Sequence, residues 1–146
     1  MSPHYLRDVV GVARTFPIRV GTVVKTSGPM FEEVDWDTVT RESGSSVPLS
    51  EKTTVTQRVR RVGRWDDVLF RKSIAMNSVN LVALTFVNYI SAIDKGCSDF
   101  SALTEASQEF VRKVNKSAKF AGEMYGFDSK VGWFSTDEHT MHPINL

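Results

Sequence analysis

Four arginines and three threonines crowd the stretch TTVTQRVRRVGRWD, Thr53 to Asp66. A guanidinium offers a planar fork of donors that fits a carboxylate or a phosphate, and a threonine hydroxyl can satisfy the lone pairs the fork leaves over. Arg58 and Arg60 are two residues apart, so in an extended loop they project the same way, and Thr54 and Thr56 share their parity. Arg61 and Arg64 fall outside that set and are expected to form structural ion pairs. Spacing alone leaves three readings open: a cradle for a small anion, a solvated basic turn, or a nucleic-acid patch. Elsewhere the chemistry is thinner. His139 and His142 lie three apart beside Asp137 and Glu138, but no third histidine is near, so no metal site is expected. Cys97 has only Lys95 close by to activate it, and no Gly-x-Ser-x-Gly elbow is present.

The rest of the chain must position those groups. Its 146 residues suit a single domain spanning 1–146 with a core of its own, and 41% hydrophobic with 24% charged residues is an ordinary globular balance. A net charge of +1 speaks against wholesale adsorption to nucleic acid or to a membrane, so any positive site must be local. A lone cysteine excludes an internal disulfide and suits a reducing compartment. With no apolar run of about 20 residues and no signal-like N-terminus, a cytoplasmic location is expected.

The pattern predicts a strand over Val9–Phe16 that stops at Pro17, then a Gly- and Pro-punctuated loop over 21–34. Asp35 is placed to cap a short helix carrying Trp36 and Val39. Residues 42–52, ESGSSVPLSEK, are polar and expected to be mobile. Asp66 caps a second helix to about Met76, with Leu69 and Met76 on the face of Trp65. The acidic pair Asp66–Asp67 suits that helix N-terminus. Asn80–Ile90 contains an unbroken apolar run, the mark of a strand buried on both faces. Leu103, Phe110, Val114, Ala118, Ala121 and Tyr125 recur at helical spacing up to Gly126, a good terminator. Phe70, Phe120 and Phe134 are also expected in the core. Residues 129–136, SKVGWFST, read as a last strand and DEHTMHPINL as a tail. The order predicts the α/β class: a partial, mostly parallel sheet with flanking helices. Its few strands make the chain read as part of something larger, and an oligomer is expected.

Three segments, RTFPIRVG (Arg14–Gly21), TSGPMFEEVDW (Thr26–Trp36) and KTTVTQRVRRVGRWD (Lys52–Asp66), occur in this order in adenylosuccinate synthetases. LVALTFVNYI and VGWFST resemble two further strands of the same family. The match runs from about Val9 to Thr136 and is most similar to the short archaeal and phage branch, which includes the 2-aminoadenylosuccinate enzymes. The resemblance implies the C-terminal portion of a C–N ligase of purine biosynthesis. That ligase joins L-aspartate to a purine nucleotide at the expense of a nucleoside triphosphate. It further implies substrate-binding roles for Thr54, Thr56, Arg58 and Arg60, and for Arg19 and Val20 in the acceptor-nucleotide pocket. Nucleotide-binding roles are implied for Asn88, Ser135 and Thr136.

The chain departs from the family at several places. Val55 stands where a hydroxyl is common, Phe86 and Asn88 stand where the family strand has a lysine and an aspartate, and Asp137 stands for a glycine. No glycine-rich phosphate loop occurs in the sequence. The resemblance therefore implies no catalytic residue and no cofactor held by this chain alone. Mg2+ and a nucleoside triphosphate belong to the complete enzyme, to which a second polypeptide would bring the N-terminal half. The rival expectation is a non-catalytic protein, derived from that enzyme, that binds a purine nucleotide or aspartate.

Overall fold

The computed structural model describes residues 7–21 and 27–146. Part of the 21–34 loop and the first residue of the segment TSGPMFEEVDW therefore lie outside the described residues. Strands β1 (Val10–Arg14), β2 (Ile18–Arg19) and β3 (Glu33–Val34) lead into helix α1 (Trp36–Ser43). Strand β4 (Arg61–Gly63), helix α2 (Asp67–Asn77) and strand β5 (Leu81–Thr85) follow. Three short 3-10 turns then connect to helix α3 (Glu105–Tyr125), strand β6 (Lys130–Phe134) and strand β7 (His142–Pro143).

Helices α1 and α2 begin where the sequence has caps. The Asp35 carboxylate accepts from the Thr38 amide at 2.7 Å, and that of Asp66 from the Leu69 amide at 2.9 Å. Helix α3 stops at Gly126, whose φ of 78° is the left-handed conformation glycine adopts without strain. Within α3, Gly122 is dictated by close approach: a Cβ there would lie 2.4 Å from the Phe127 carbonyl oxygen.

The main sheet has the order β1-β5-β6-β7. β5 runs parallel to both β1 and β6, and β7 pairs antiparallel with β6. Helices α2 and α3 pack on one face, sealing a core that includes Phe70, Ile74, Val82, Leu84, Val114 and Phe134. β5 is buried on both faces, as its apolar run predicts. A second sheet, β2-β4-β3, is antiparallel and packs with α1 around Phe16, Trp36, Val39, Val62 and Tyr89. Among the described residues no helix is long and apolar enough to cross a membrane.

Several expectations need correction. In α2 the buried residues are Phe70 and Ile74, while Leu69 and Met76 are exposed. The side chains reaching α3 and the sheet therefore lie about 100° further round the helix than the Leu69–Met76 stripe. Phe120 and Tyr125 of α3 are also exposed. The expected strand over Asn80–Ile90 ends at Thr85, because Phe86 takes φ 60° and the chain turns into a 3-10 helix over Val87–Tyr89. The tail is not loose: His142 and Pro143 form β7, and Ile144 is buried.

Candidate functional site

The carboxyl ends of β1, β5 and β6 converge, the place where open parallel sheets present ligand sites. They are tied together there. The Thr15 hydroxyl donates to the Phe86 carbonyl at 2.6 Å, the Val87 amide to the Ser135 carbonyl at 2.8 Å, and the Ser135 amide to the Leu84 carbonyl at 2.9 Å. Beyond this rim lies a cavity of about 620 Å³ whose walls include Phe86, Asn88, Tyr89, Lys95, Asp137 and His139.

Asn88 reaches that wall because the left-handed turn at Phe86 lifts the chain off the strand. Its side chain is buried, and its Oδ1 has no hydrogen-bond partner among the described residues. A buried carbonyl oxygen left unpaired is costly, so a donor is wanted there. Ser135 and Thr136 stand beside it at the end of β6, but their hydroxyls are occupied. The former donates to the Asp137 carbonyl at 2.6 Å and the latter to the Cys97 carbonyl at 2.8 Å. Asp137 is held below the usual carboxylate range by amide donors from His139 and Thr140 and by the Thr140 hydroxyl. Lys95 and an ionised Asp137 thus face the same cavity.

The threonine–arginine segment is a hairpin, not an extended loop. Lys52 and Val59 form a bridge, and the Arg60 amide donates to the Glu51 carbonyl at 2.8 Å. At the tip the chain turns over Thr53–Gln57, with Gln57 at φ 53°. The Thr53 and Thr56 hydroxyls bond each other at 2.6 Å, and the Arg58 amide donates to the Thr53 hydroxyl at 3.1 Å. The two-residue parity that would align Thr54, Thr56 and Arg58 therefore does not hold: a strand's alternation is lost in a turn.

The arginines divide as the sequence suggests. Arg61 is engaged by Glu33 through two bonds of 2.7 and 2.5 Å, and Arg64 by Glu42 and Glu32. Arg58 and Arg60 make no ion pair among the described residues; Arg58 is exposed, and the Arg60 guanidinium donates to the Lys52 carbonyl at 3.4 Å. Arg19, paired with Arg61 across β2 and β4, donates to the Ser27 carbonyl, and Val20 is exposed. Hydrogen bonds bring neither of them to Arg58 or Arg60.

One link between hairpin and rim was not singled out in the sequence. Glu51, at the hairpin base, accepts from the Arg14 guanidinium at the end of β1 and from the Tyr89 hydroxyl at 3.1 Å. Arg14 also lies over the Phe86 ring, 3.9 Å from its centroid. Burial pushes the Arg14 pKa down, and nearby Arg60 adds to this, while Glu51 opposes both. Burial, then the Glu51 charge, pushes the Tyr89 phenol up. These partners lie 37 and 38 residues apart in sequence, so no local signal could have paired them. Among the described residues no group of three or more His, Cys, Asp or Glu could hold a metal ion.

The profile of the adenylosuccinate synthetase family matches residues 1–122. The adenylosuccinate synthetase of Methanocaldococcus jannaschii is 32% identical over 116 residues, 80% of this chain and 31% of that protein. That of Archaeoglobus fulgidus is 29% identical over 119 residues, 82% of this chain and 32% of its own. The chain thus spans about a third of the length of these relatives. Among solved structures, the fully ligated adenylosuccinate synthetase of Plasmodium falciparum aligns with 99% of this chain and 42% of its own, with a TM-score of 0.71 at 17% identity. Cyanophage S-2L succinoaminodeoxyadenylate synthetase (PurZ), solved bound to dGMP and dATP as an energy donor, aligns with 89% of this chain and 31% of its own. Its TM-score is 0.59 at 23% identity. At these identities both structures speak for the fold alone.

Proposed function

Because the chain belongs to the adenylosuccinate synthetase family, we propose that it supplies the aspartate and nucleotide-recognition part of such a ligase, or of a 2-aminoadenylosuccinate synthetase. The remainder of the enzyme, with the phosphate-handling loop, comes from other sequence. The observation that carries this reading is the division of the arginines: carboxylates neutralise Arg61 and Arg64, while among the described residues Arg58 and Arg60 have none. A dicarboxylic amino acid with two charge-assisted contacts there would have its amino group held for attack on the purine acceptor, which is catalysis by positioning.

The rim cavity would take the base of the nucleotide. An asparagine amide offers one acceptor and one donor, the complement of adenine's amino group and adjacent ring nitrogen. The unpartnered Oδ1 of Asn88 supports an adenine nucleotide there, in keeping with the dATP bound by the cyanophage relative. Ser135 and Thr136 would contribute through backbone and shape, since their hydroxyls are engaged. Mg2+ would accompany the triphosphate in the complete enzyme.

A second reading is a non-catalytic binder of aspartate or a purine nucleotide, derived from that enzyme, that uses the same two features. Calorimetry tests both. Arg58→Ala should weaken L-aspartate binding about 10- to 100-fold, the range for a lost charge-assisted hydrogen bond, with folding unchanged. Unaltered affinity for aspartate and for every purine nucleotide would sink both readings.

A further inference from the structure

We infer that Lys95 is a specificity-determining residue of the rim cavity and that Asp94 positions it. The buried Asp94 carboxylate fixes the turn that holds the Lys95 ammonium at the cavity wall, where the ammonium donates to a ring nitrogen of the purine base. The inference rests on the reading that this cavity takes an adenine nucleotide. Lys95 belongs to the cavity wall and makes no ion pair among the described residues.

The turn runs from Ser91 to Cys97, and its backbone closes on itself. The Asp94 amide donates to the Ser91 carbonyl at 3.1 Å, the Lys95 amide to the Ala92 carbonyl at 3.2 Å, and the Cys97 amide to the Asp94 carbonyl at 2.9 Å. Asp94 is 2% exposed, and a carboxylate taken that far out of water must find donors. Both oxygens find them on one residue further along the chain: Oδ1 accepts from the Thr104 amide and Oδ2 from the Thr104 hydroxyl, each at 2.8 Å. Thr104 opens α3 with no cap from its own side chain, so Asp94 caps the helix from outside, at the positive end of its dipole. The far end of the turn is tied by the Thr136 hydroxyl, which donates to the Cys97 carbonyl. Pinned to α3 and to the end of β6, the turn brings the Lys95 backbone to the cavity with little freedom left to lose on binding.

What Lys95 meets follows from the groups left free around it. Asn88 Oδ1 lacks a partner, and Asp137 takes its three donors on Oδ1, its second oxygen accepting none among the described residues. Glu138 and His139 face each other at 3.3 Å. The wall thus offers two free acceptor oxygens and one free ammonium, a group with three donors and no acceptor. Adenine's exocyclic amino group and the sugar hydroxyls can serve the oxygens. The acceptors that remain on the base are its ring nitrogens, and they call for a donor such as Lys95. A phosphate would also attract the ammonium, but the ionised Asp137 on the same wall repels it.

Calorimetry with the full chain, titrated with adenosine and with ATP, is the test. Lys95→Met keeps the apolar stem and removes the charge, so both ligands should weaken by the same factor, about 10-fold. A loss confined to ATP would place Lys95 against phosphate, and no loss would leave it idle; either overturns the inference. Asp94→Asn should weaken adenosine binding in the unmodified chain but not in Lys95→Met, because a positioning residue acts through the group it aims. Equal losses in both backgrounds would make Asp94 merely structural and overturn its role. If Asp94→Asn does not fold, Thr104→Val, which removes one of the two donors to Asp94, runs the same cycle. Adenosine binding that falls with Asn88→Ala but not with Lys95→Met removes this inference and leaves the adenine reading standing. An unmodified chain that binds neither adenosine nor ATP removes both.

Discussion

The two lobes of this molecule are held by different physics. The parallel-sheet body buries Phe70, Ile74, Leu84, Val114 and Phe134 between two helices and a sheet, with hydrophobic burial as its main source of stability. The smaller lobe has strands of only two or three residues and a modest cluster around Trp36 and Val39. Its geometry leans on polar ties: Arg61 to Glu33, Arg64 to Glu42, the Trp36 indole to the Arg60 carbonyl at 2.8 Å, and Glu51 to Arg14 and Tyr89. The body is a scaffold, and the lobe aims a hairpin. A loop whose aim rests on polar contacts can be re-aimed, or lost, without unfolding the sheet beneath it.

Three measurements sharpen or break that contrast. Phe134→Ala removes a fully buried ring from the body and should cost about 3–5 kcal/mol in urea unfolding. A cost near that of an exposed site would mean the body is not the stabilising unit. Trp36→Phe keeps most of the apolar volume but removes the donor to Arg60. We expect a loss of about 1 kcal/mol, with amide exchange accelerating around Glu51–Arg60 while β5 and β6 keep their protection. Equal acceleration in both lobes would show that they open as one unit.

The smallest effect concerns acid. Hydrogen bonds from Arg61 and Arg64 hold Glu33 and Glu42 below their ordinary value of 4.5. A depressed carboxylate stabilises the fold fully above its unfolded pKa, and that contribution disappears as pH falls through the lower folded value. Both pairs are partly exposed, so solvent screening keeps the effect modest. Below pH 4.5 the hairpin lobe should loosen before the body, read as earlier loss of amide protection at Val62 than at Val82. Simultaneous loss would erase the distinction.

Much of the body was legible because its signals are local. Asp35 and Asp66 announce helix starts, Gly126 a helix end, and the run before Thr85 a strand buried on both faces. The α2 face was misread because Leu69 and Met76 satisfy helical spacing as well as Phe70 and Ile74 do; only the position of α3 decides which pair is inside. The small sheet left no trace, since two-residue strands cannot display alternation. In the site, the ion pairs of Arg61 and Arg64 could be anticipated, because both fall outside the Arg58–Arg60 parity. The turn at Thr53–Gln57 and the lift of Asn88 off its strand could not, since each depends on a left-handed residue, Gln57 or Phe86, that local preference disfavours.

By itself, then, the sequence determined the helices, the central strands, the α/β class and the family, because caps, periodicity and collinear motifs are written in neighbouring residues. The tertiary structure alone decided which carboxylate takes which arginine and how Glu51 couples the hairpin to the rim. Those outcomes join residues tens of positions apart, and their energies exist only once the chain has folded back to bring the partners within reach.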